Sequence, residues 1–288
     1  LVLAARPVGR WAVVLAWEGS SPSVDFRSSP RRLALRRRIA AAADAVITNS
    51  PRGRDYLVDV LGVDPDAVAT APSMVPHPPA RPAAAGTGDG RLRLLCVGRW
   101  ESRKGILQLL DALAALDEAD RRRIHLELVG DGPLAEQVVA ARTALGLEDV
   151  VDLVGWVPYE EIPGRMAAAD LLCFPTLEDT WGMVALEAMA AGTPVLCSVH
   201  AGVHPHADPD LVIDPHDTWG TAAVLRRLVA DPDDLARRGQ AAAARMAAHT
   251  PTAAAERLLA AARRARVSRD ADGRRARNGP RPADGARR

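Results

Sequence analysis

Two carboxylates eight residues apart, Asp179 and Glu187, are the first candidates for chemistry in this chain. They lie in FPTLEDTWGMVALEAMAAGTPVLC, residues 174 to 197, a pattern that reads as an apolar helix between two buried strands. An unpaired carboxylate in an apolar setting is costly or becomes neutral, so Glu187 needs a partner. A helix beginning near Gly182 leaves the N–H groups of Gly182, Met183 and Val184 without intrahelical acceptors, and their partial positive charge suits phosphate oxygens. Glu187 follows at a rise of roughly 7–8 Å, about the reach from a diphosphate to a ribose. Its partner would then be a pair of ligand hydroxyls, with Asp179 facing a sugar on the other side of the phosphates. The alternative is a structural salt bridge from Glu187 to an arginine.

Three further stretches carry matching chemistry, each directly after a β-like run. LRLLCV is followed by GRWESRKG, where Gly98 permits a tight turn, Arg99 offers a planar fork of donors and Lys104 is a second cation near a helix start. Two cations flanking a helix N-terminus make a diphosphate clamp, or else solvated surface charges. IHLELV is followed by GDGP, in which Gly130 and Gly132 would let a ligand approach closely and Pro133 starts a helix. VVDLV is followed by GWVP. The glycines could equally serve turns alone.

The elements that must position these residues alternate in type. WAVVLA (11 to 16), a helical stretch through RRLALRRRIAAAA, AVIT (45 to 48) and a helix from about Arg54 to Leu61 give a βαβα order. PHPPARPAAAGTGDG (76 to 90) is too rich in Pro, Ala and Gly for regular structure and reads as an interdomain linker. A second series of strands and helices then runs from residue 92, closing with helical runs at 233 to 248 and 251 to 266. Such alternation predicts an α/β fold with parallel sheets, in which ligands bind beyond the carboxyl ends of the strands. The divisions expected are 1–82, an incomplete N-terminal domain; 83–91, a linker; 92–266, the ligand-binding domain; and 267–288, a disordered basic tail.

Composition narrows the classes. With 288 residues, 48% hydrophobic and 25% charged, the chain is globular rather than disordered. A formal net charge of +1 argues against a nucleic-acid partner. Cys96, Cys173 and Cys197 sit inside apolar runs, as small buried hydrophobes do, which fits a reducing cytoplasm. No run of 18 apolar residues exists to span a bilayer, and Arg6 and Arg10 interrupt the opening apolar stretch. The arginine helix from Pro30 to Ala43 is read as a solvated face, with peripheral contact to acidic lipid headgroups at the inner face of the membrane as the alternative. His200, His204 and His206 suggest a metal, but no Cys or paired acid beside them completes a usual site, so no metal is expected. Neither domain shows G-x-G-x-x-G after its first strand, which excludes a dinucleotide-dependent dehydrogenase.

GRWESRKG, LVGDGP, GWVPYEEI and EDTWGMVALEAMAAGTPV, in this order and spacing over residues 92 to 200, resemble the retaining family 4 type of GT-B fold glycosyltransferases. Upstream, ADAVITNSPRGRDYLVDVLGVDPDAVATAP resembles the end of that family's N-terminal domain. The resemblance implies two Rossmann-like domains, the N-terminal one incomplete. It implies transfer of a sugar from a nucleotide diphosphate donor to an unknown glycan, lipid or small-molecule acceptor, with retention of configuration and no metal or other cofactor. Asp179, Glu187, Arg99 and Lys104 would be the catalytic set. Arg99 and Lys104 would bind the diphosphate, Glu187 the ribose, and Asp179 and Thr180 with the backbone from Trp181 through Gly182 and Met183 to Val184 the sugar and phosphates. Val157 would lie near the nucleobase, and Gly98, Gly130, Asp131 and Gly132 would complete the donor side. Three departures stand out. Asp179 occupies a position where the family usually has Glu, the N-terminal domain is short, and no His precedes residue 76, leaving Glu18 as the nearest strand-end acid. A nucleotide-sugar-binding relative without turnover is the alternative reading.

Overall fold

The computed structural model describes residues 14–17, 29–71, 75, 90–231 and 233–278. Glu18, most of the expected linker and residues 279–288 lie outside them. The chain divides into two compact units, Leu1–Ser73 with Pro251–Arg288, and Met74–Thr250.

In the first unit β1 (Val14–Trp17), β2 (Ala45–Thr48) and β3 (Val68–Thr70) form a parallel sheet in the order β1-β2-β3. Two helices enter by the same device. Pro30 and Pro51, each already fixed in φ and lacking an N–H, open α1 (Pro30–Ala41) and α2 (Pro51–Asp55), while Ser29 Oγ accepts from the N–H of Arg32 and Ser50 Oγ from that of Gly53. α2 continues as one π-helical turn, Tyr56–Val60, and buries Tyr56 and Leu57 beside Val46 and Ala40.

The second unit contains β4 (Leu92–Val97), α3 (Ile106–Ala114), α4 (Glu118–Arg121), β5 (Ile124–Val129), α5 (Ala135–Ala144), β6 (Val151–Gly155), α6 (Ile162–Ala168), β7 (Leu171–Phe174), α7 (Met183–Ala190), β8 (Val195–Ser198), β9 (Val212–Ile213), α8 (Thr218–Ala230) and α9 (Asp233–Met246). Its six strands are all parallel in the order β6-β5-β4-β7-β8-β9. Alternate side chains leave opposite faces of a strand. Leu94 and Cys96 therefore join one core with α3 and α8, while Leu95 joins the other with Leu172, Phe174 and α7. The strand order reverses between β4 and β7, and that topological switch opens a crevice beyond their carboxyl ends. At the amino end the same strands are pinned by a two-pronged pair, Arg93 Nη2 to Asp170 Oδ1 at 2.9 Å and Nε to Oδ2 at 3.2 Å. The three cysteines are free and buried; burial pushes the Cys96 and Cys197 thiols up to about 12.

α10 (Pro251–Asn278) departs from expectation twice. It belongs to the first unit and packs on β1, β2 and β3, with Ala261 and Ala265 buried, rather than closing the second. It also runs past residue 266 to Asn278, where a disordered tail was expected. No helix among the described residues is long and apolar enough to cross a membrane.

Candidate functional site

The loops after β4 and β7 meet in the crevice. Leu177 donates its N–H to the Arg103 carbonyl at 2.8 Å, and the Thr176 hydroxyl lies 2.8 Å from that same oxygen. This knitting brings Lys104 Nζ to 2.7 Å from Asp179 Oδ2, with Arg103 Nη1 3.6 Å from the same oxygen. Lys104 also stands 5.6 Å from the centre of the Phe174 ring. The other oxygen, Asp179 Oδ1, accepts the N–H of Trp181 at 3.1 Å. Asp179 is thus ion-paired and capping the turn that leads into α7, two duties its sequence position alone did not reveal. Thr180, partly buried, completes that turn.

α7 starts where expected, one residue after Gly182. That glycine has φ +106°, and a Cβ there would lie 2.8 Å from Phe174 Cε1 and 2.9 Å from Val203 Cγ1, so both backbone shape and space require its bare Cα. Met183 is exposed and Val184 half-buried, while Ala185, Leu186, Ala188 and Met189 are buried. Glu187 is half-buried rather than enclosed. Its partner is neither an arginine nor an apolar wall: the Tyr159 hydroxyl donates to Glu187 Oε1 at 3.0 Å. Burial raises the Glu187 carboxyl above its ordinary value, and the Tyr159 bond only partly offsets that. The Tyr159 hydroxyl is pushed up in turn, by desolvation first and then by the Glu187 charge.

A cleft of about 460 Å³ lies beyond β4, β5 and β6, lined by Val97, Gly98, Arg99, Val129, Gly130, Asp131, Trp156, Val157, Tyr159 and Ile162. Arg99 is exposed there and makes no ion pair among the described residues. Asp131 is exposed, and its Oδ1 accepts the N–H of Gly132 at 2.7 Å. Gly130 lines the cleft, and both it and Gly132 also face the neighbouring loop. A Cβ at Gly130, whose φ is +137°, would lie 1.9 Å from the Gly98 carbonyl oxygen, and one at Gly132 would lie 2.5 Å from that of Trp100. Their bare Cα atoms admit the neighbouring loop's backbone, which a side chain at either position would displace.

Sequence reasoning placed Val157 at the cleft but missed Trp156 and Tyr159. Both are exposed aromatics, at 73% and 55%, in the very stretch GWVPYEEI that drew attention. Large exposed aromatics beside a strand end were the available signal. The three histidines near residue 200 do not act together. His204 Nδ1 lies 2.9 Å from the Ala201 carbonyl oxygen, His206 stacks edge-on between Trp181 and His249, and His200 turns toward Asp214 and His216.

A six-stranded doubly wound parallel sheet with charged loops at its switch point defines an open α/β domain whose ligand crevice lies beyond the carboxyl ends of the strands. The chain belongs to the glycosyl transferases group 1 family, whose model matches residues 81–245. It is 30% identical over 263 residues to D-inositol 3-phosphate glycosyltransferase 1 of Catenulispora acidiphila, covering 85% of this chain and 63% of that protein. It is 35% identical over 240 residues to D-inositol 3-phosphate glycosyltransferase of Streptomyces coelicolor, covering 71% and 52%. Among solved structures, sucrose-phosphate synthase from Thermosynechococcus elongatus matches at a TM-score of 0.72 with 25% identity, over 91% of this chain and 68% of that one. The fold is that of GT-B glycosyltransferases. The chain spans about half to two thirds of the length of the curated relatives it matches.

Proposed function

We propose that this chain binds a nucleotide diphosphate sugar across the switch-point crevice and transfers the sugar with retention of configuration. The observation that carries the reading is α7 itself: a helix N-terminus free of intrahelical acceptors, with the Lys104–Asp179 pair just before it and Glu187 one turn into the helix. The helix N–H groups, Lys104 and Arg99 would hold the diphosphate and stabilise the negative charge that builds as it departs. Glu187 would exchange its Tyr159 bond for two ribose hydroxyls, and the nucleobase would lie in the cleft near Val157. Asp179, one oxygen on the Trp181 N–H and the other on Lys104, would face the donor sugar. None of these roles calls on a metal, and the charge on the leaving group would be met by cations and the helix dipole. For the acceptor, a phosphorylated cyclitol, as in the names of the relatives, is the class to test first. We assign no membrane contact to the transfer.

Calorimetry with UDP and with uridine tests the clamp: the diphosphate should contribute most of the affinity, and equal affinity for the two would remove it. Incubation with a radiolabelled donor and an inositol phosphate tests turnover. Binding without transfer or donor hydrolysis would leave the reading of a nucleotide-sugar binder that does not turn over.

A further inference from the structure

We propose that His200, Asp214 and His216 form a binding site for one divalent transition-metal ion of the zinc class, at the outer edge of the second unit's sheet. β8 and β9 are paired through Cys197 with Val212 and Ser198 with Ile213, so the turns that follow them leave the sheet side by side. The first turn carries His200, whose N–H is held by Ser198 Oγ at 3.0 Å; the second carries Asp214 and His216, whose own N–H bonds Asp214 Oδ1 at 2.9 Å. The Val199 N–H to Ile213 carbonyl bond, 2.8 Å, ties the two turns together. One ligand atom from each of the three side chains then lies within 4.8 Å of the others. His200 Nε2 and Asp214 Oδ1 are 3.4 Å apart, close to the ~3.3 Å edge of a tetrahedron with zinc–nitrogen bonds of about 2.0 Å. The two imidazole rings stand 5.8 Å apart at 68°, and His216 on its exposed turn closes the third side by side-chain rotation. Among the described residues no Lys or Arg forms an ion pair with Asp214.

Two imidazoles and one carboxylate suit zinc, nickel, cobalt or copper and not the all-oxygen shells of magnesium or calcium. Three protein ligands leave a fourth position for water. The site is away from the cleft, yet linked to the crevice through the backbone. The His200 carbonyl faces the Asp179 N–H at 3.5 Å, and the Gly202 N–H bonds the Asp179 carbonyl at 2.9 Å. An ion here would fix the turn on which the Asp179 backbone rests.

The test is titration of the whole chain, stripped with a chelator, by Zn²⁺ in a calorimeter and by Co²⁺ in visible absorption. The wild type should take up one ion at this site, with a cobalt spectrum lacking thiolate charge-transfer bands. His216→Ala and Asp214→Asn should each weaken it about tenfold or more, with unchanged circular dichroism. His204→Ala should leave it unaltered. Absence of saturable binding, a thiolate band, or equal affinity in His216→Ala and wild type would overturn the site.

Discussion

The two acids of the α7 region, one in the turn before the helix and one midway along it, are the same kind of group in opposite circumstances. Asp179 is met by Lys104 and Arg103 and accepts a backbone N–H, so each of its oxygens has a partner before any ligand arrives. Glu187 has the neutral Tyr159 hydroxyl, and burial raises its pKa. The first is a closed electrostatic unit that shapes a turn; the second is an acceptor held by a bond weak enough to exchange. Charge compensation thus fixes Asp179 in place before a ligand arrives, while its shortage leaves Glu187 free to exchange partners.

The largest test disturbs the spacing of both acids at once. Gly182→Ala places a Cβ against Phe174 and Val203 at φ +106° and should destabilise the second unit by ~2–6 kcal/mol, seen as a lowered melting temperature. A variant as stable as wild type would show that the turn can relax, and that Asp179 and Glu187 are not rigidly spaced. Lys104→Ala comes next. It should weaken UDP binding by about 1.5–3 kcal/mol, the range for hydrogen bonds to charged groups, while Arg103 remains to pair Asp179 and the melting temperature changes little. A large stability loss with unchanged binding would make Lys104 purely structural.

Glu187→Gln sharpens the contrast through pH. Because the folded-state pKa of Glu187 is raised, folding favours its protonated form; that contribution is fully present below the ordinary value of 4.5 and is lost as pH rises through the folded value. The glutamine variant should therefore gain stability relative to wild type between pH 4 and 7, by well under ~1 kcal/mol for so exposed a group. Denaturation at a series of pH values reads this directly. A difference flat with pH would mean that burial does not disfavour the Glu187 charge.

How much of this was legible follows from what sequence patterns encode. The doubled leucines of β4, Leu94 and Leu95, announce a strand buried on both faces, and the strand-end glycines mark where the loops turn. Lys104 and Asp179 were each singled out, but nothing local joins residues 75 positions apart, so their pairing needed the sheet order that places β4 beside β7. β9, only Val212 and Ile213, is too short to carry a period. The Pro251 helix shows its helicity in sequence but not which sheet it covers. Tyr159 escaped because an exposed aromatic belongs to no periodic face, and its partner lies 28 residues away.

A comparably small effect decides what Tyr159 does. Tyr159→Phe keeps the ring and removes one hydroxyl, leaving Glu187 without its donor, so the Glu187 carboxyl should titrate still higher. If ribose hydroxyls take over the Tyr159 position on Oε1, wild type must break that bond before binding and the phenylalanine variant need not. UDP should then bind the variant up to ~1 kcal/mol more tightly, the net worth of an ordinary hydrogen bond. The gain should vanish with a 2′,3′-dideoxy nucleotide, which cannot bond Glu187 in either protein. If Tyr159 instead bonds the ligand while staying in place, the hydroxyl is an asset and the variant should bind more weakly. The sign of one calorimetric difference therefore separates a placeholder from a contact, and a weaker variant would erase the contrast between the exchangeable Glu187 and the fixed Asp179.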